Sequence, residues 1–146
     1  NDIWLSNKEI EFGYRTSIIQ KNKFTLIEAE FLCTPSTKEN IKTRIDTSLK
    51  KRLAHQPLRE NTFGSIFKNP PGDFAGRLIE ESGLKGHSIG NLQLSKQHAN
   101  FLVNSEPSTF KDIAEFLQNI QDIVLSKTGI HLEKEVKSLT PFSFSD

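Results

Sequence analysis

The sequence predicts a mixed α/β or α+β domain, read as α+β with a small mixed sheet and about three helices, beginning near residue 35. Three observations predict it. Apolar residues at helical spacing alternate with short apolar runs of strand length, in the order strand, helix, strand, helix, strands, helix, strand. Proline and glycine punctuate the joins, at Pro35, at Asn69-Pro70-Pro71-Gly72, at Gly83 and at Gly129. The 146 residues, 35% hydrophobic and 25% charged, suit one folded domain or one domain plus a piece of another.

Residues 1–23 are mixed and polar around one aromatic cluster, Phe12-Gly13-Tyr14-Arg15-Thr16-Ser17, and do not read as a natural amino terminus. Phe24 to Cys33 is the strand expected in the first third, with Thr25, Ile27, Ala29 and Phe31 on one face and Leu26, Glu28 and Glu30 on the other. Cys33, the single cysteine, lies in an apolar run and is expected to be buried. It excludes an intrachain disulfide framework and suits a reducing compartment. Ser36 and Glu39 have capping-box spacing, and Ile41, Ile45, Leu49 and Leu53 follow at four-residue steps. They predict a helix ending near His55-Gln56-Pro57, with Lys50-Lys51-Arg52 on its solvated end.

Ile66 and Phe67 read as a strand that the two prolines end, with Gly64 before it allowing close backbone approach to a ligand. Asp73 is the expected N-cap of a second helix whose inner face is Phe74, Leu78 and Ile79 and whose stop is Gly83. After a turn-rich link from Gly86 to Asn91, Leu92 with Leu94 and Phe101-Leu102-Val103 read as short strands around the polar island Ser95 to Asn100. Thr109 and Asp112 open a third helix carrying Phe110, Ile113, Ala114, Leu117, Ile120 and Val124, which Thr128-Gly129 ends. Ile130 to Val136 closes the chain as a strand, with Leu132, Lys134 and Val136 opposite Glu133 and Glu135.

A net charge of +1 argues against nucleic-acid binding. No signal peptide or spanning apolar stretch is seen, so no membrane partner is expected. No phosphate-cradling or dinucleotide fingerprint is present, and His55, His87, His98 and His131 lack metal spacing, so no metal site is expected. Ser65, placed after a glycine and before an apolar run, is a candidate for a rigidly held hydroxyl at a pocket mouth. A serine can protonate only a strongly basic intermediate, or needs a partner to orient it. Glu133 or Glu135 could be that partner, or both could be exposed strand residues. His98 and Asn100 form either a hydrogen-bonded turn or a ligand-contacting loop, and Asn69 either binds ligand or caps a turn.

Taken together, Phe12-Gly13-Tyr14-Arg15-Thr16-Ser17, Gln56-Pro57, Gly64-Ser65-Ile66-Phe67-Lys68-Asn69-Pro70 and Ala75-Gly76-Arg77-Leu78-Ile79-Glu80 become specific. So do Gly83-Leu84-Lys85-Gly86, Gln93-Leu94-Ser95, His98-Ala99-Asn100-Phe101 and Leu132-Glu133-Lys134-Glu135-Val136. In order and spacing the chain resembles the C-terminal part of the UDP-N-acetylenolpyruvoylglucosamine reductase (MurB) family of flavoenzymes. That resemblance implies residues 1–34 as the tail of an FAD-binding domain and residues 35–146 as the substrate-binding domain. It implies an NADPH-dependent oxidoreductase of peptidoglycan synthesis, cytoplasmic, acting through FAD on UDP-N-acetylglucosamine enolpyruvate. Ser65 would be its proton donor and Glu135, the second glutamate of its motif, its catalytic carboxylate. Asn69 and Tyr14 would contact substrate, as would His98 where some members have glutamine, and Arg15 would lie toward the cofactor. The short link from Ser17 to Phe24 resembles the branch lacking an extra tyrosine-bearing loop. Asn91 replaces a glycine common in the family. The family's flavin-binding glycine stretches and its catalytic arginine lie upstream of the matched motifs. The chain alone is therefore expected to hold no FAD tightly, to be inactive, and to work with an upstream flavin domain. The alternative is a non-catalytic UDP-sugar-binding module, or a subunit pairing with a separate flavin domain.

Overall fold

The computed structural model describes residues 2–138. The chain divides into two compact units, Asn1–Thr37 and Lys38–Asp146.

In the first unit a tight turn joins Gly13 and Thr16, whose backbones exchange hydrogen bonds of 2.9 and 3.3 Å. Arg15 takes φ 56° at its tip and lays its guanidinium 5.1 Å from the centre of the Tyr14 ring. A single-turn helix, α1 (Ile18–Lys21), follows. The expected strand from Phe24 to Cys33 is absent: these residues are exposed and without regular structure, and Cys33 is exposed rather than buried. A strand is stabilised by its neighbour's ladder and by a covered face. Among the described residues none pairs with this segment. Ile3, Trp4, Phe12, Phe24, Leu26, Ile27, Phe31 and Leu32 all leave large apolar side chains exposed.

The second unit opens with α2 (Lys38–His55), which starts one residue later than a Ser36 cap would give; its stripe of Ile41, Ile45 and Leu49 is exposed. There follow β1 (Thr62–Ser65), α3 (Ala75–Glu81), β2 (Ser88–Ile89), β3 (Leu92–Leu94), β4 (Phe101–Asn104) and α4 (Phe110–Thr128). The strands form one antiparallel sheet in the order β1-β4-β3-β2. Strand β2 was not expected, because two exposed residues carry too little pattern to read. The β2–β3 turn needs positive φ only at its first residue, which is Gly90 at 57°, so Asn91 in second place fits it.

Leu92, Leu94 and Leu102 from the sheet meet Ala75, Leu78 and Ile79 of α3 and Phe116, Leu117, Ile120 and Val124 of α4 in one core. Helix α4 is as the spacing predicts. Thr109 and Asp112 make a reciprocal capping box, and Gly129 ends the helix at φ 73°. Gly83 likewise follows α3 at φ 74°. Two expectations for α3 fail. Its N-cap is Phe74 rather than Asp73, and Phe74 is 67% exposed, because Ala75 takes the inward position. The closing strand is reduced to a single antiparallel bridge, Phe67↔Lys134. The strand expected at Ile66 and Phe67 forms instead at Thr62–Ser65, just before them, and Ile66 and Phe67 pair with that last segment.

Candidate functional site

Ser65 is the last residue of β1, next to an irregularity in the β1–β4 register. Gly64 creates it with φ 76°, a left-handed conformation that side chains with a Cβ resist. A Cβ at Gly64 would touch nothing within 4 Å, so conformation alone accounts for the glycine. The Thr62 hydroxyl donates to Leu102 O at 2.8 Å and accepts the Gly64 N–H at 3.1 Å, which secures the bulge.

Beyond Ser65 the backbone is held from two sides. Asn100, buried, accepts the Phe67 N–H on Oδ1 at 3.1 Å and donates from Nδ2 to Phe67 O at 2.8 Å. Its own carbonyl accepts the Ile66 N–H at 3.0 Å. One asparagine thereby acts as a substitute strand for two residues. From the other side the Lys68 N–H donates to Glu133 O and the Glu135 N–H to Ile66 O, each at 2.8 Å. Gln121 of α4, buried, donates to Leu132 O at 2.7 Å and fixes the start of that segment. Glu135 is half-buried beside Ile66, whereas Glu133 is exposed and ion-paired with Lys68. The two glutamates, equivalent in sequence, are thus unequal in place.

Asn69 accepts the Ala75 N–H on Oδ1 at 3.0 Å and so satisfies the start of α3, the task expected of Asp73. Asp73 instead binds Arg77 one turn along, with Oδ1 2.7 Å from Nε, and Arg77 also pairs with Glu81. The Arg77 contact, with a hydrogen bond from the Phe74 N–H, lowers the Asp73 pKa to about 2. Opposite, the hairpin loop of residues 95–100 is closed by the Ser95 N–H on Phe101 O at 2.9 Å. The buried Ser95 hydroxyl accepts the Gln97 N–H at 3.1 Å. His98, half-buried, tilts against Phe101 with ring centres 4.7 Å apart. Burial lowers its pKa, aided by the charges of Lys85 and His55, against a hydrogen bond from the ring to its own backbone carbonyl and the pull of Glu80; the balance favours the neutral ring.

Ser65, Asn69 and His98 line one open cavity of about 450 Å³, with Phe74, Gly76, Arg77, Glu80, Gln97, Ala99 and Asn100. Its size is that of a small-molecule site. Tyr14 and Arg15 belong to the first unit, exposed at its turn. Sequence reasoning did not find Phe74, Gly76, Arg77 or Gln97; the Ala75-to-Glu80 motif was the signal for two of them. A second cavity of about 310 Å³ lies around Gln56, Pro57 and Arg59 and shares Gln97. Among the described residues no group of three or more His, Cys, Asp or Glu could hold a metal ion, and no helix is long and apolar enough to cross a membrane.

Sheet, helices and cavity define the class first: an α+β domain whose polar cavity lies where a β-bulge, a hairpin loop and the start of a short helix converge. The chain belongs to the UDP-N-acetylenolpyruvoylglucosamine reductase family. Residues 56–139 match the family model for the reductase's C-terminal domain. Over 135 residues the chain is 39% identical to the reductase of Staphylococcus carnosus and 41% identical to that of Staphylococcus aureus, covering 92% of this chain and 44% of each relative. It thus spans less than half the length of these relatives. The crystal structure of the reductase (MurB) from Thermus caldophilus superposes with a TM-score of 0.57 at 38% identity, over 70% of this chain and 36% of that one.

Proposed function

We propose that this chain is the substrate-binding part of an enzyme that reduces the enolpyruvyl ether of UDP-N-acetylglucosamine to UDP-N-acetylmuramate, in the cytoplasm, for peptidoglycan synthesis. The observation that carries the reading is the convergence of Ser65, Asn69 and His98 on one cavity; Glu135 does not line it and is tied to Ile66, the residue after Ser65, through its backbone N–H.

Among the described residues we find no cradle that fits a flavin. The first unit's helix has four residues, and a Cβ at Gly13, beside Tyr14 and Arg15, would meet its own turn at Thr16 Cγ2, 2.9 Å away. In this reading FAD and NADPH belong to an upstream domain and residues 1–34 are its tail, which the exposed apolar side chains of this stretch support. Tyr14 serves the substrate channel and Arg15 the cofactor side.

The work of this part is binding and protonation. When the terminal vinyl carbon has gained hydride, the adjacent carbon, next to the carboxylate, is strongly basic. Ser65 Oγ–H is the proton source: its O–H bond breaks as the new C–H bond forms, and the alkoxide recovers a proton from solvent. Among the described residues the Ser65 hydroxyl has no hydrogen-bond partner, which leaves it available. Glu135 orients the substrate carboxylate end or assists that transfer. Asn69 and His98 contact the substrate.

Two measurements test this. In an NMR titration of the chain with the enolpyruvyl substrate, amide shifts should cluster at Ser65, Asn69, His98 and Glu135; their absence at millimolar ligand counts against the reading. In the complete enzyme Ser65→Ala should leave flavin reduction by NADPH intact and slow reoxidation by substrate by roughly 10²-fold or more. Ordinary turnover in that variant refutes the assignment.

A further inference from the structure

Glycine weakens a helix relative to alanine, so one within a helix needs a reason. Gly76 is the second residue of α3 and its φ is not left-handed, so backbone conformation supplies none. Space does. A Cβ there would lie 3.3 Å from His98 Cε1, 3.7 Å from Asn100 Cβ and 3.8 Å from His98 Nδ1. The His98 ring also leans on Phe101, and its Nδ1 accepts the Asn100 backbone N–H at 3.2 Å. A backbone amide only donates. Nδ1 therefore carries no proton, and the neutral ring keeps its hydrogen on Nε2. Nε2 has no hydrogen-bond partner among the described residues, and the ring lines the cavity.

We propose that Gly76 is a positioning residue that holds His98 as a neutral Nε2–H donor to the cavity, there to meet an acceptor oxygen of the ligand. The proposal rests on the functional reading above and adds to it a residue of the cavity wall that acts through His98. The charged and titratable groups around the ring are Glu80, Lys85 and His55, with Arg77 lining the same cavity. A second proton would have to enter at Nδ1, displacing the Asn100 N–H in favour of the ring's own backbone carbonyl. Acidification thus breaks the arrangement instead of strengthening its grip on an anion.

The test is a double-mutant cycle on the chain, with UDP-N-acetylglucosamine as probe and imidazole nitrogen NMR as a ligand-independent readout. Wild type should show the Nε2–H form. Gly76→Ala should disturb that form, keep the protein folded, and weaken UDP-N-acetylglucosamine binding about tenfold, the effect of losing one hydrogen bond. In a His98→Ala background Gly76→Ala should cost almost nothing more, whereas His98→Gln alone should retain most of the affinity. Wild-type binding should weaken as pH falls below the His98 pKa. An Nδ1–H ring, or an equal cost of Gly76→Ala in both backgrounds, overturns the proposal. If wild type binds no UDP-N-acetylglucosamine, the functional reading fails, and the imidazole spectra of wild type and Gly76→Ala decide by themselves whether Gly76 sets the ring.

Discussion

Asn100 carries more of the site's geometry than any residue that faces the cavity alone. Its amide satisfies both backbone groups of Phe67 and its carbonyl the Ile66 N–H, so it fixes the two residues after Ser65. Asn100→Leu has a similar volume and would leave two buried backbone groups without partners. It should destabilise the domain by about 2–6 kcal/mol in urea unfolding, at ~1–3 kcal/mol for each orphaned group. A loss under 1 kcal/mol would mean that water replaces the amide and that Ser65 is held by other contacts. The sequence marked this residue but left open whether it turned a loop or bound a ligand. That ambiguity was physical, because the partner backbone lies 33 residues away and no local pattern encodes it. The same holds for Glu135 against Glu133, which differ only once Lys68 takes one of them.

At the scale of elements, local chemistry was legible wherever the partners lie within one turn. The Thr109–Asp112 box, the Gly83 and Gly129 stops and the alternation in β3 are all short-range, and all formed where expected. Thr109→Ala removes the acceptor for the Asp112 N–H, 3.2 Å away, and should cost about 1 kcal/mol with the fold unchanged. Denaturant midpoints of the two proteins check it; an unchanged midpoint would show that Asp112 alone carries the cap. Elements that depend on distant partners were misjudged. Phe24 to Cys33 has strand composition but no paired neighbour among the described residues, and Ile66-Phe67 pairs across the chain while the strand expected there forms just before it. Asp73 lost the N-cap because its carboxylate is drawn to Arg77, while Asn69 reaches the Ala75 N–H from six residues back.

For the molecule as a whole, the His98 environment makes a pH prediction. Burial lowers its pKa in the folded state below the ordinary value near 6.5. Between those two values the unfolded chain binds more protons than the folded one, so stability rises with pH there. The contribution is complete above about pH 6.5 and is lost as pH falls through the folded-state value. Urea unfolding at about pH 7.5 and about pH 5 should show a larger loss on acidification for wild type than for His98→Gln. Asp73 and Asp112, both lowered by hydrogen bonds, act at more acidic pH and leave this window clear. Equal losses in the two proteins would mean that His98 titrates alike folded and unfolded.

The strip of residues 133–135 has a consequence outside catalysis. The Ile66 carbonyl and the Lys68 N–H are the outward hydrogen-bonding groups of the stretch that continues β1, and Lys68 and Glu133 are 65 positions apart in the chain. Bare, such a row would invite an extended segment of another copy to add to it. The chain's own late segment occupies it first, so the element that ties Glu135 to Ile66 also guards the sheet against self-association.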